Sequence, residues 1–246
     1  MRTRILIRVV ALSAVLSSCH PAATRAVAAP KARAEAPLQL SSAARLARAN
    51  QRLELSAYRD AEADFRALLD APQATPALLG LGQVLVTTGR YAEAVSALAQ
   101  LVASPIGDAN AALWTARAQQ YEGDIGAAER TLRSVPKEHA SPALQLELGM
   151  VLLREGRRAD AEPVLMALVN DYNEDRIKQT DGVGLSLVGR AAQLLRSPRD
   201  ANDAYDAAER ALPGDTQTLL FRADLFLEKY DPGHAEEVLN EVLAKA

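Results

Sequence analysis

The stretch LLGLGQVLVTTGRYAEAVSALAQL, residues 78–101, decides the fold. Leu78, Leu81 and Leu85 before Gly89, and Tyr91, Leu98 and Leu101 after it, recur at the steps of a helical face. This predicts two antiparallel helices with Gly89 supplying the turn. Gly82 and Ala94 leave room for the two backbones to approach closely, and the large residues fill the seam within and between such units.

The pattern recurs down the chain. Leu148-Gly149, Leu152, Gly156, Ala161, Leu165 and Leu168 form a second strong copy, in which Pro163 lies early enough in its helix to be tolerated. A third copy is Leu185, Val188-Gly189, Ala192, Ala201, Tyr205, Ala208 and Pro213; the last is Leu219, Ala223, Phe226, Ala235, Leu239 and Leu243. Two degenerate copies lie around Leu46, Ala49, Leu53, Tyr58, Ala61, Phe65 and Leu68, and around Trp114, Ala116, Gly123, Ala128, Leu132 and Val135. In both, the first helix can be registered two ways, one residue apart. The small residues Ala61, Ala94, Ala128, Ala161, Ala201 and Ala235 follow one another at 33, 34, 33, 40 and 34 residues. The one long step marks an insertion within residues 170–181, an extended helix end or loop that is either a plain surface feature or a contact site.

With Leu-Gly, Gly, Tyr, Ala and a closing Pro105 at these offsets, the chain resembles the tetratricopeptide repeat. The resemblance implies an all-α fold: about six helix-turn-helix repeats, near 42–73, 75–107, 109–140, 142–172, 182–214 and 216–246, stacked into a right-handed α-solenoid. It also implies a concave groove lined by positions 2, 5, 9, 12 and 13 of each first helix. Carried over, position 5 gives Leu79, Leu113, Leu146 and Leu220, and position 12 gives Val86, Leu153 and Leu227. Position 9 gives Gln83, Arg117, Met150, Arg190 and Asp224. Such a groove suits an amphipathic helix or an extended apolar peptide, although some of these leucines could instead pack against the adjacent repeat. Repeats that bind a terminal carboxylate line the groove with Lys and Asn, types nearly absent here. Trp114 reads as core filling in preference to a ligand platform.

The ends of the chain carry separate signals. Arg2, Arg4 and Arg8 followed by the apolar Val9 to Leu16 read as a secretory leader over residues 1–18, too short to span a bilayer. It closes on Leu16-Ser17-Ser18-Cys19, which resembles the bacterial lipobox and implies lipidation of Cys19, the single cysteine. With His20 following that cysteine, where inner-membrane retention usually involves Asp, the resemblance implies the outer membrane, facing the periplasm. Residues 19–40, with Pro21, Pro30 and Pro37, read as an Ala/Pro-rich tether, and residues 41–246 as the solenoid. No polar capping helix closes the array, so the native protein is expected to continue past Ala246. The segments 200–205 and 223–230 resemble a group of bacterial repeat proteins whose arrays sometimes precede a zinc-peptidase-like domain.

The formal charge is -3 and becomes -6 without the leader, which argues against nucleic acid as a partner. His20, His139 and His234 are scattered, and there is no phosphate-cradling glycine loop or nucleophile elbow. No catalysis, metal or cofactor is expected of these residues. The leading expectation is a membrane-tethered adaptor for a protein or peptide in the cell envelope. The runner-up is the docking module of a longer exported peptidase, and self-association through a terminal repeat is a third reading.

Overall fold

A computed structural model describes residues 40–104 and 108–244. The leader, Cys19 and the tether up to Gln39 lie outside the described residues, as do Pro105 and Ala246. Among the described residues there are twelve α-helices and no strand: α1 (Ser42–Glu54), α2 (Tyr58–Arg66), α3 (Ala74–Thr87), α4 (Tyr91–Val102), α5 (Ala109–Tyr121), α6 (Ile125–Ser134), α7 (Pro142–Arg154), α8 (Arg158–Asn173), α9 (Gly182–Leu194), α10 (Pro198–Ala211), α11 (Thr216–Glu228) and α12 (Pro232–Leu243). They form six antiparallel pairs. Each first helix packs on its own partner and on the first helix of the next pair, whereas the second helices pack mainly on first helices. This arrangement puts the odd-numbered helices on the inner side of a curved stack, the all-α solenoid that the repeat period implies.

Close approach explains the small residues. A Cβ added to Gly82 would meet Leu98 Cδ1 at 2.6 Å, and one on Gly149 would meet Leu165 Cδ2 at 2.4 Å. Between pairs the same logic places Gly80 under the Phe65 ring, where a Cβ would lie 2.3 Å from Cζ. The alanines that set the period, from Ala61 to Ala235, are all buried. Five first helices begin at a side-chain cap: Ser41, Asp108, Ser141, Asp181 and Asp215 each accept the backbone N–H three residues on.

The turn inside each pair is closed the same way six times. Arg90 N–H donates to Leu85 C=O at 2.8 Å, and Ala57, Asp124, Arg157, Ser197 and Asp231 each donate to the carbonyl five residues back. The residue before each donor has positive φ. Gly89, Gly123 and Gly156 fill this slot in three repeats, but Ser56 (φ 57), Arg196 (φ 65) and Tyr230 (φ 59) fill it in the others. A side chain in the left-handed region costs about 1 kcal/mol. Arg196→Gly, at an exposed site, is therefore expected to raise the thermal midpoint by about 2–4 °C, measurable by circular dichroism.

Pro163 is not in the first turn of its helix: it is the sixth residue of α8, which runs through it. The loss is one hydrogen bond, because Ala159 C=O has no N–H to accept four residues on. Both residues are exposed, so solvent serves that carbonyl. The inserted residues extend α8 to Asn173 and then form a loop that returns to the core through buried Ile177. Arg176 pins this loop by pairing with Asp171 at 2.5 Å and with Glu174.

Ion pairs staple neighbouring repeats on the outer side. Arg90 bonds both Glu62 oxygens at 2.8 Å, and Arg157 repeats the arrangement with Glu129 at 2.7 Å, each pair 28 residues apart. Burial alone would raise the Glu62 carboxyl, but hydrogen bonds from Arg90 and Arg66 hold it below the usual carboxylate range. Hydrogen bonds from Arg157 and Arg133 do the same for Glu129. In α2, Asp64 is buried; burial would raise it, yet Arg48 and Arg52, both at 2.5 Å, hold it low. A carboxyl whose folded value lies below its unfolded one adds stability above the unfolded value, and that stability disappears as the pH falls through the folded value. The thermal midpoint is expected to stay level from pH ~7 to ~5 and to fall below pH ~4, the ordinary carboxylate range. Because the arginines are partly exposed, salt should blunt the effect.

Candidate functional site

The inner faces of α3, α5 and α7 enclose a groove of about 740 Å³. Val86 and Thr87 come from the end of α3, Tyr91 from the start of α4, Trp114, Arg117, Gln120 and Tyr121 from α5, and Glu147, Met150 and Arg154 from α7. Gln217, at the start of α11, reaches the same groove from two repeats further along.

Four of its polar side chains form one connected chain. Glu147 is 5% exposed, and both its oxygens are occupied: Arg117 Nε donates to Oε2 at 2.8 Å and Gln120 Nε2 to Oε1 at 2.9 Å. The Gln120 carbonyl in turn accepts from Arg154 Nη1. A buried carboxylate needs such partners, and once paired it fixes the side chains that hold it. The Arg117 guanidinium lies 4.9 Å over the Trp114 ring, a cation–π arrangement. Beside it the Tyr91 and Tyr121 rings stack with centroids 5.1 Å apart, and Tyr121 is 66% exposed.

Of the residues carried over from the repeat pattern, the groove gathers Val86, Arg117 and Met150. Leu113 and Leu146 are buried at 6% and 4% exposure, so they fill the seam between repeats and cannot offer a ligand surface. Val86 is also buried and contributes only an edge to the floor. Leu153 packs on the central core, and Leu79 and Gln83 are half-buried on α3 outside the groove lining. Arg190 and Asp224 pair with each other across adjacent repeats, and Gln193 donates to the same carboxylate at 3.4 Å. Leu220 and Leu227 are exposed on α11, away from the groove. The apolar ladder expected along the groove is thus broken: Val86, Leu113 and Leu146 are buried in the core, Leu79 and Leu153 are half-buried, and Leu220 and Leu227 are exposed on α11.

The groove residues that the pattern did not supply had a signal in it. Thr87, Tyr121 and Arg154 all occupy position 13 of their repeats, and Gln120 occupies position 12. Trp114 does both jobs, packing on the N-terminal core and walling the groove. Glu147 has no signal in a single repeat, since its partners come from the preceding one.

A second cavity of about 780 Å³ opens on the outer side, where α6 stops at Ser134 just before Pro136. Its floor is core, including Leu132, Leu144 and Leu148, and its arginines, Arg133 and Arg157, are already paired with Glu129. It is slightly larger than the inner groove, but its two arginines are committed to ion pairs and it presents no aromatic side chain. Among the described residues no group of three or more His, Cys, Asp or Glu could hold a metal ion. No helix among them is long and apolar enough to cross a membrane.

Residues 46–111 match the tetratricopeptide repeat family. No curated protein sequence matches the chain. Among solved structures, the chain is similar to one in the APC/C hetero-tetramer Cut9–Hcn1, with TM-score 0.54 and 22% identity over 83% of this chain and 40% of that one. It is similar to TTC0263, a tetratricopeptide-repeat protein of Thermus thermophilus, with TM-score 0.57 and 20% identity over 76% of this chain and 100% of that one. The PilF protein of Pseudomonas aeruginosa follows at TM-score 0.50 and 16% identity, covering 80% of this chain and 88% of its own. The chain therefore spans well under half of the first of these and most or all of the other two. Helix pairs, matched segment and neighbours together establish the fold as an all-helical solenoid of tetratricopeptide-type repeats, with the family match itself covering residues 46–111.

Proposed function

We propose that this chain is a membrane-tethered scaffold that holds a protein or peptide partner of the cell envelope in the groove along α3, α5 and α7, and that its mechanism is binding alone. The observation that carries the reading is the groove: an exposed aromatic, two arginines held in place from below, and walls supplied by three successive repeats. Tyr, Trp and Arg are the residue types that dominate binding energy at protein interfaces. The similar fold in Cut9–Hcn1 belongs to a chain assembled with another protein, which is the kind of role assigned here.

The tether rests on the sequence Leu16-Ser17-Ser18-Cys19 and the Ala/Pro-rich residues after it. We assign Cys19 the acyl anchor and place the solenoid on the periplasmic side of the outer membrane. Two or more acyl chains would hold it there stably, whereas one would bind only marginally. Fractionation tests the anchor: the wild-type protein should stay in the membrane fraction with acyl mass on Cys19, and Cys19→Ser should be released. An acyl-free wild-type protein recovered in the soluble fraction would refute the anchor and leave the groove untouched. Tyr121→Ala tests the groove: it should keep the helical content and thermal midpoint but lose the partner that co-purifies with the wild type. Unchanged co-purification would refute the groove.

A further inference from the structure

We propose that the groove takes an acidic peptide segment, a side-chain carboxylate set against Arg117 and Arg154 with a neighbouring aromatic or large aliphatic residue seated on Trp114 and the Tyr91–Tyr121 stack. This rests on the groove reading above and adds the chemistry of the occupant. The charge balance at the site argues for it. Two guanidinium groups face one carboxylate, Glu147, whose two oxygens are already taken by Arg117 Nε and Gln120 Nε2. Arg117 keeps both terminal nitrogens uncommitted among the described residues, and Arg154 bonds only the neutral Gln120. The groove thus has a net positive charge inside a chain whose net charge is -3.

Guanidinium forks recognise carboxylates through paired, charge-assisted hydrogen bonds. The Glu147–Gln120 framework fixes two such forks in advance, which lowers the ordering cost of binding. The rings beside them present flat apolar surface, and Tyr121, at 66% exposure, is left without cover on its outer face. A polyphosphate backbone fits less well. The groove offers only two guanidinium groups, one of them already bonded to Glu147, too few for a run of anionic charge, while a single carboxylate needs only these two.

The test uses the full chain and an array of end-capped peptides covering every central residue pair, followed by titration of the best binder. Trp114 is the chain's single tryptophan, so its fluorescence reports from within the groove. The array should favour Asp or Glu beside Phe, Tyr, Trp or Leu, and binding should shift Trp114 emission saturably. Replacing the acid by its amide should weaken binding about tenfold or more. Arg154→Gln, exposed and expected to fold normally, should remove the preference for acid over amide and keep that for the apolar neighbour. Equal binding of acid and amide peptides would overturn the proposal while leaving the groove reading intact. So would binding, when the same peptides with a free C-terminus and a single-stranded oligonucleotide are titrated in parallel, only of the free-C-terminus peptides or only of the oligonucleotide. No binding by any peptide would overturn the proposal as well, and the groove reading would then be judged by Tyr121→Ala on the native partner.

Discussion

Gly189→Val is expected to destabilise the array by about 3 kcal/mol or more, at the upper end of what overpacking costs. A Cβ at this position would sit 2.5 Å from Tyr205 Cε1, 2.6 Å from Cδ1 and 3.2 Å from the Ala201 carbonyl oxygen. The ring cannot swing aside. Tyr205 is fully buried, and its hydroxyl donates to Gln193 Oε1 at 2.8 Å, itself a buried group. Burial also raises the phenol above its ordinary value, which keeps it a neutral donor. The only relief is for α9 and α10 to part, and that breaks the stack at its fifth repeat. Because each repeat is stabilised by its neighbours, the break should convert a single melting transition into two, with α1–α8 the more persistent. Thermal melts followed by circular dichroism would show this. Gly233→Ala is the control: the nearest atom to its added Cβ is Asp231 Oδ1 at 3.9 Å, and no loss of stability is expected.

The second large effect is at the N-terminal edge. Phe65→Ala removes a fully buried ring that lies over Gly80 and joins the first repeat to the second, a change worth about 3–5 kcal/mol. The loss should be local, because α1 and α2 have a neighbour on one side only among the described residues. Hydrogen exchange should show the amides of α1 and α2 losing protection while those of α7 and α8 keep theirs. Uniform loss along the whole array would mean that the repeats are far more cooperative than nearest-neighbour packing allows.

The fold was legible because close packing leaves little choice at a few positions. Where two helices cross at Gly82 and Leu98, or at Gly149 and Leu165, any larger residue collides, so the small residues stand out at a fixed period. The turn was less legible. Ser56, Arg196 and Tyr230 hold the same left-handed slot as Gly89, and their local strain is offset by the identical closing hydrogen bond, which sequence does not display.

The candidate site was half legible, for a geometric reason. Whether position 5 faces the groove or the next repeat depends on how each pair is rotated against its neighbour, a property of the stack and not of one repeat. That rotation buries Leu113 and Leu146 but exposes Leu220. It also brings Arg117 against Glu147, 30 residues on, and Arg190 against Asp224, 34 residues on. Position 13 was the readable clue: Thr87, Tyr121 and Arg154 sit one helical step from position 9 on the same inner face and line the groove.

The central claim is that the inner groove, and not the outer face, holds the partner. A photo-crosslinking side chain placed at Thr87, exposed at the edge of the groove, and in a second protein at Met166, 47% exposed on α8 of the outer layer, tests it directly in intact cells. The account predicts one discrete adduct from Thr87, none from Met166, and loss of the Thr87 adduct when Tyr121→Ala is added. The same adduct from Met166, with none from Thr87, would contradict it.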